Sequence, residues 1–144
     1  MTNDEITMVQ GIENAPAAAK LREEVFLQEQ GFSTEFDEID PIAWHLTLTR
    51  GGETLAVGRL YPAPEEPGLY IVGRVAVAKP WRGQGLGRDV ALALEQKARL
   101  LGGRAIDLSA QLHAQGFYEK LGYAAYGDIY LDAHCPHIHM KKQL

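Results

Sequence analysis

Polar and apolar residues alternate in EITMVQ, Glu5 to Gln10, and a two-residue period of this kind predicts an opening strand. The spacing then changes. Ala18, Leu21 and Val25 recur at three- and four-residue intervals and predict a helix, with Asn14 as its cap, Pro16 in the first turn and Gly31 at its end. An acidic loop, STEFDEIDP, follows. WHLTLTR and ETLAVGRLYP are β-rich runs on either side of Gly51-Gly52, whose freedom at positive φ suits a tight hairpin. The nearly continuous apolar run LYIVGRVAVA predicts a strand covered on both faces.

Leu86, Val90, Leu94, Ala98 and Leu101 mark one face of a second helix, stopped at Gly102-Gly103. RAIDLSA is another buried strand. A short helix carries Ala114, Phe117, Tyr118 and Leu121, with Phe117 assigned to the core, and two closing strands lie near YAAYG and HIHMKK. The predicted class is α/β (α+β in some schemes): a mixed, mostly antiparallel sheet with helices on both faces. Val72 to Ser109 forms one strand–helix–strand crossover.

Composition narrows the function more than the fold. At 144 residues the chain is about one domain, residues 1–144, large enough for a single core. A net charge of -5 argues against nucleic acid as a partner, because phosphate neutralisation needs surplus Lys and Arg. The single cysteine, Cys135, has no internal partner for a disulfide. MTNDEITMVQ lacks a basic stretch followed by an apolar one, and no run approaches a membrane span, so a cytoplasmic location away from the membrane is expected.

Gly83, Gly85 and Gly87 sit between a strand end and a helix start, in VAVAKPWRGQGLGRDV. A helix N-terminus offers unpaired N–H groups and partial positive charge, and glycine lets an anion approach them closely. Arg82 and Arg88 bracket the loop with phosphate-suited donors. A nucleotide P-loop would need Lys followed by Ser or Thr, and a dinucleotide fingerprint would need G-x-G-x-x-G; this loop has neither. The pyrophosphate of coenzyme A is the third ligand of this class.

The stretch resembles the acetyl-CoA signature of the GNAT superfamily of N-acetyltransferases, R/Q-x-x-G-x-G/A, through Arg82, Gly85 and Gly87 with Gly83, Gln84, Leu86 and Arg88. VFLQEQGFSTEFDEID, FYEKLGY and PHIHM are similar to the small ElaA-like branch, so the likeness runs from about Leu21 to Met140. It implies acetyl-CoA as cosubstrate and a small-molecule or peptide amine as acceptor, with a homodimer as a family-level expectation. It further implies that Val75, Ala76 and Val77 offer main-chain groups to the pantetheine arm, and that the amides from Arg82 to Arg88 hold the pyrophosphate.

Acetyl transfer needs a proton for the departing thiolate, a polarised carbonyl and a deprotonated amine. Tyr118, placed by the family beside the thioester sulfur, is the candidate acid, since a phenol keeps its proton at neutral pH. Amides near Val77 are candidates for the oxyanion. Glu29, Glu35, Asp37, Glu38 and Asp40 read as an acidic wall that attracts and deprotonates a cationic amine, with Glu38 as the candidate base, although a carboxylate run is as a rule a solvated loop. His45 reads as structural. Gln111 is a candidate contact to the acetyl or pantetheine amides, and His137 a candidate lining of the acceptor pocket. His134, Cys135, His137 and His139 have metal-ligand chemistry, but alternation along a strand argues against a shared metal, and none is expected. The competing class is an acyl-CoA-binding domain that keeps the cofactor site without efficient catalysis.

Overall fold

The computed structural model describes residues 4–144; the first three residues of the N-terminal stretch read above as lacking a leader lie outside them. Seven strands form one sheet in the order β1-β2-β3-β4-β5-β7-β6. They are β1 Asp4–Gln10, β2 Trp44–Arg50, β3 Glu53–Pro62, β4 Leu69–Val77, β5 Ala105–Gln111, β6 Ala124–Asp132 and β7 Cys135–Gln143. Among the described residues only β4 and β5 pair in parallel. That pair is joined through α2 (Leu86–Leu100), the predicted crossover.

Helices cover both faces, and the alternation of side chains in β3 shows how. Ala56 belongs to the core with α2, alongside Leu46, Leu48, Leu86, Val90, Leu94 and Ala98. Its neighbour Val57 points the other way and joins Ala76 under α1 (Pro16–Arg22), with Ala18, Leu21 and Val25. α3 (Gln115–Lys120) adds Tyr118 to the α2 side. Among the described residues no helix is long and apolar enough to cross a membrane.

Local chemistry sets the boundaries. Arg50 pairs with Glu53, so the β2–β3 turn is the two residues Gly51 and Gly52, both at positive φ (58° and 83°). The first helix departs from expectation. Gly11, at φ 87°, and a 3-10 turn, Ile12–Asn14, first carry the chain off β1. Asn14 therefore caps nothing; its amide donates to Gln10 O at 2.9 Å, and Pro16 starts the helix after Ala15. Past Arg22 the helix widens into a π-helix, Glu23–Glu29. At the other end of the chain, Gly127 does not end a strand: at φ 74° it occupies a bulge, and β6 continues beyond it to Asp132.

Candidate active site

β4 and β5 pair only from Leu69↔Ala105 to Val72↔Leu108. Both strands run on, to Val77 and Gln111, and part as they do. The split opens a cleft of about 800 Å³, lined by Val75, Ala76, Val77, Gln111, Tyr118 and His137 among others. This is a size suited to a small molecule.

A bulge in β4 shapes the split. Val57 pairs with Ala76 and Arg59 with Gly73, so Gly58 faces two residues, Arg74 and Val75. Arg74 takes up the extra length at φ 52°, a left-handed conformation unusual for arginine. Gly58 lets α2 approach: a Cβ there would lie 2.8 Å from both Leu94 Cδ1 and Val90 Cγ1. A bulge bends its strand and leaves backbone groups outside the ladder.

The glycine loop lies at the start of α2. Gly85, at φ 80°, precedes the first helical residue, and buried Leu86 anchors the helix in the core. Gly83, Gln84, Gly85 and Arg88 are exposed. Gly87 allows α3 to come close, since a Cβ would sit 3.3 Å from Phe117 Cζ. Arg82 is not the free phosphate donor expected beside the loop. Its guanidinium grips Glu29 at 2.5 and 2.7 Å, and its Nε donates to Val77 O at 3.0 Å. Hydrogen bonding to Arg82 in turn holds the Glu29 carboxyl below its ordinary range.

Tyr118 and Phe117 exchange the burial expected of them. Phe117 is 37% exposed and lines the cleft, whereas Tyr118 is 9% exposed, held edge-on between Phe117 and Tyr123. Burial pushes the Tyr118 phenol up to about 12. Gln111 lies in the lining and donates to Gln30 Oε1 at 2.8 Å. His137 is buried there, its Nδ1 2.9 Å from Cys135 O.

The acidic segment is not a solvated wall. Glu35 and Asp40 are buried in a cage of three guanidiniums. Arg22 binds Glu35 and Asp40, Arg59 binds Asp37 and Asp40, and Arg74 binds Glu35 at 2.6 Å and Asp37 at 3.4 Å. Burial raises the Asp40 carboxyl, but hydrogen bonds from Arg22 and the Asp37 amide, with two neighbouring charges, bring it down to about 2. For Glu35 burial prevails over Arg74 and Arg22, and its carboxyl is pushed up. Glu38 is exposed and stands outside the cleft lining, so the one cleft-lining carboxylate of EFDEID is Glu35. His45 is buried, with Nε2 2.9 Å from Asp40 O, and burial lowers its pKa.

The metal-type residues disperse. His139 faces Asp107, His134 packs on Phe32, and the Cys135 thiol donates to Pro136 O. Among the described residues no three His, Cys, Asp or Glu are grouped to hold a metal ion.

Sequence reasoning passed over Arg22, Arg59 and Arg74. A signal existed: VGRLY and VGRVA place an arginine in the middle of two apolar strands, and Arg22 directly follows Leu21 on the buried face of α1. Buried arginines of this kind need carboxylate partners, and EFDEID supplies them.

Residues 13–144 match the family model for the acetyltransferase (GNAT) domain. YjcF, an uncharacterised N-acetyltransferase of Bacillus subtilis, is 34% identical over 125 residues, 85% of this chain and 87% of that protein. ElaA of Escherichia coli is 26% identical over 132 residues, covering 89% and 86% of the two chains. Among solved structures, an acyl-CoA N-acyltransferase from Pseudomonas aeruginosa superimposes with a TM-score of 0.84 at 32% identity, covering 97% of this chain and 99% of that one. ElaA itself superimposes with a TM-score of 0.85 at 24% identity, covering 96% and 99%. The fold is thus shared with an acyl-CoA N-acyltransferase. The chain belongs to the GNAT acetyltransferase family, in its ElaA-like branch.

Proposed function

We propose that this protein transfers an acetyl group from acetyl-CoA to a primary amine in the split between β4 and β5. The observation that carries the reading is the meeting, in one cleft, of the free end of β4, the start of α2 and Tyr118. Val75, Ala76 and Val77 take the pantetheine amides on the strand edge that β5 leaves unpaired. The amides of Gly83, Gln84, Gly85, Leu86, Gly87 and Arg88 receive the pyrophosphate at the helix N-terminus. Arg82 acts through its clasp on Glu29 and Val77, fixing the loop against the strand. Gln111 caps the far side of the thioester.

The amine nitrogen attacks the thioester carbon, and the oxyanion meets amides of β4 freed by the bulge. The C–N bond forms and the C–S bond breaks. Tyr118 gives its proton to the leaving sulfur. The apolar surroundings that raise the phenol also raise a thiolate formed beside it, so donor and acceptor stay matched. Glu35, made more basic than an ordinary carboxylate by burial, takes the proton from the amine in place of Glu38.

Acetyl-CoA should raise the melting temperature where ATP and NAD do not, and free thiol should appear when an amine is added. Stabilisation without thiol release across polyamines, amino sugars, amino acids and peptides would leave a coenzyme-binding domain and sink the enzymatic reading.

A further inference from the structure

The cage beside the cleft contains three guanidiniums and three carboxylates, so its charges balance before any acceptor arrives. Its outward face is unevenly satisfied. The Asp37 and Asp40 oxygens are each taken by arginine or backbone N–H groups. Glu35 uses Oε1 for both Arg22 and Arg74, and its Oε2 has no partner among the described residues. Arg74 spends Nε and Nη2 on Glu35 and Asp37, and its Nη1 likewise has none. Both residues line the cleft, and the Arg74 side chain is 30% exposed. Only Arg59 Nε is fully buried without a partner among the described residues, so the open positions on Glu35 and Arg74 keep solvent contact, slight at Glu35, whose side chain is 3% exposed.

These open positions are an acceptor and a donor on the same ion pair, whose inner atoms are 2.6 Å apart. The backbone holds Arg74 there at a conformational cost, φ 52°, in the bulge that interrupts the pairing of β4 with β3 between Gly73 and Ala76. A polyamine would add uncompensated positive charge to a balanced cage and leave the open N–H of Arg74 without an acceptor, and a simple carboxylate would add negative charge and leave the open oxygen of Glu35 without a donor. A ligand bearing both charges a few bonds apart fits without disturbing the balance.

From this geometry we infer that the acceptor is an amino acid, recognised as a zwitterion: Arg74 Nη1 binds its carboxylate while Glu35 Oε2 receives its ammonium. The inference rests on the acetyl-transfer reading above and specifies its substrate class. Glu35 takes the ammonium proton, the neutral nitrogen attacks, and the N-acetyl amino acid forms with its carboxylate still on Arg74. Coenzyme A leaves as the thiol with the proton from Tyr118; the second proton that the nitrogen sheds as the amide forms restores the phenol, and Glu35 releases the first to solvent.

The test measures thiol release from acetyl-CoA with each common L-amino acid against its α-amide. The amide's amine is less basic and more deprotonated, so intrinsic reactivity favours the amide, and a preference for the acid reports on the site. For the best amino acid, kcat/KM should exceed that of its amide by about 10- to 100-fold, carried by KM. Arg74→Gln should collapse that ratio towards one, and Arg74→Lys, which keeps charge without the fork, should give an intermediate ratio. Melting curves establish that each variant is folded. Equal or better turnover of the amides, or a ratio untouched by Arg74→Gln, would overturn the inference while leaving acetyl transfer intact. N-acetylglycine and N-acetylglycinamide provide a readout independent of turnover. Stabilisation of the coenzyme A complex by the acid alone supports the carboxylate site even if no thiol is released, the result that removes the acetyl-transfer reading instead.

Discussion

Tyr118 carries the heaviest chemical assignment of any single residue, and its surroundings determine how it acts. A phenol pushed up to about 12 does not ionise at neutral pH, so in the proposed reaction it is available as a proton donor. Replacing it with Phe keeps the ring between Phe117 and Tyr123 and removes only the hydroxyl. Turnover should fall by about 100-fold or more, with the dissociation constant for acetyl-CoA nearly unchanged, as steady-state kinetics and calorimetry would show. Asp40 is the corresponding residue for stability. Its carboxyl falls from an ordinary 3.8 to about 2 in the folded chain, so the folded state binds its proton less readily than the unfolded one. The stabilisation is complete above about pH 4 and is lost as pH falls towards 2, a contribution of about 2 kcal/mol. Glu35, shifted upward, has the opposite sign and favours the fold most at low pH. Denaturant melts across this range should show the acid-side slope diminish in Asp40→Asn. That variant should also lose about 3–5 kcal/mol at neutral pH, because Arg22 and Arg59 keep buried charges with fewer partners.

Among the elements, the β4 bulge connects packing to chemistry. Gly58 supplies the room that Val90 and Leu94 need, and α2 carries the glycine loop at its N-terminus, about one turn before Val90. Gly58→Ala should therefore cost about 1–3 kcal/mol in urea melts and weaken acetyl-CoA binding as well, since a shifted α2 moves its own N-terminus. Sequence periodicity reached α2 and its loop because everything needed is local: an apolar run, three glycines and a helical stripe. It missed the bulge because a bulge is a relation between two strands. Gly58-Arg59 and Gly73-Arg74 look unremarkable until β3 and β4 are laid side by side, where Arg59 meets Gly73. The π-helix is a similar case, since Glu23 to Glu29 reads as ordinary helix in sequence. Its role becomes visible where Glu29 reaches Arg82.

At the scale of the whole molecule, one sheet parts between its only parallel strands, and each side of the split contributes a share of the site. The donor side was legible as a contiguous motif, and Tyr118 through a short helix that resembles the family's own. The proposed acceptor side was not, because Arg22, Glu35, Asp40, Arg59 and Arg74 come from a helix, a loop and two strands. Arginines within apolar strands hint that partners exist, but spacing along the chain does not say which charges meet, and a carboxylate run looks the same whether solvated or caged. Glu38 and Glu35 stand within the same six residues, and only burial separates them. The central claim is that acetyl-CoA occupies the split. It is tested most directly by titrating the isotope-labelled chain with acetyl-CoA and following its backbone amide resonances. The account predicts shifts concentrated at Val75 to Val77 and Gly83 to Arg88, with smaller ones around Tyr118. Shifts that leave both stretches untouched, or an absence of binding at millimolar acetyl-CoA, would contradict it.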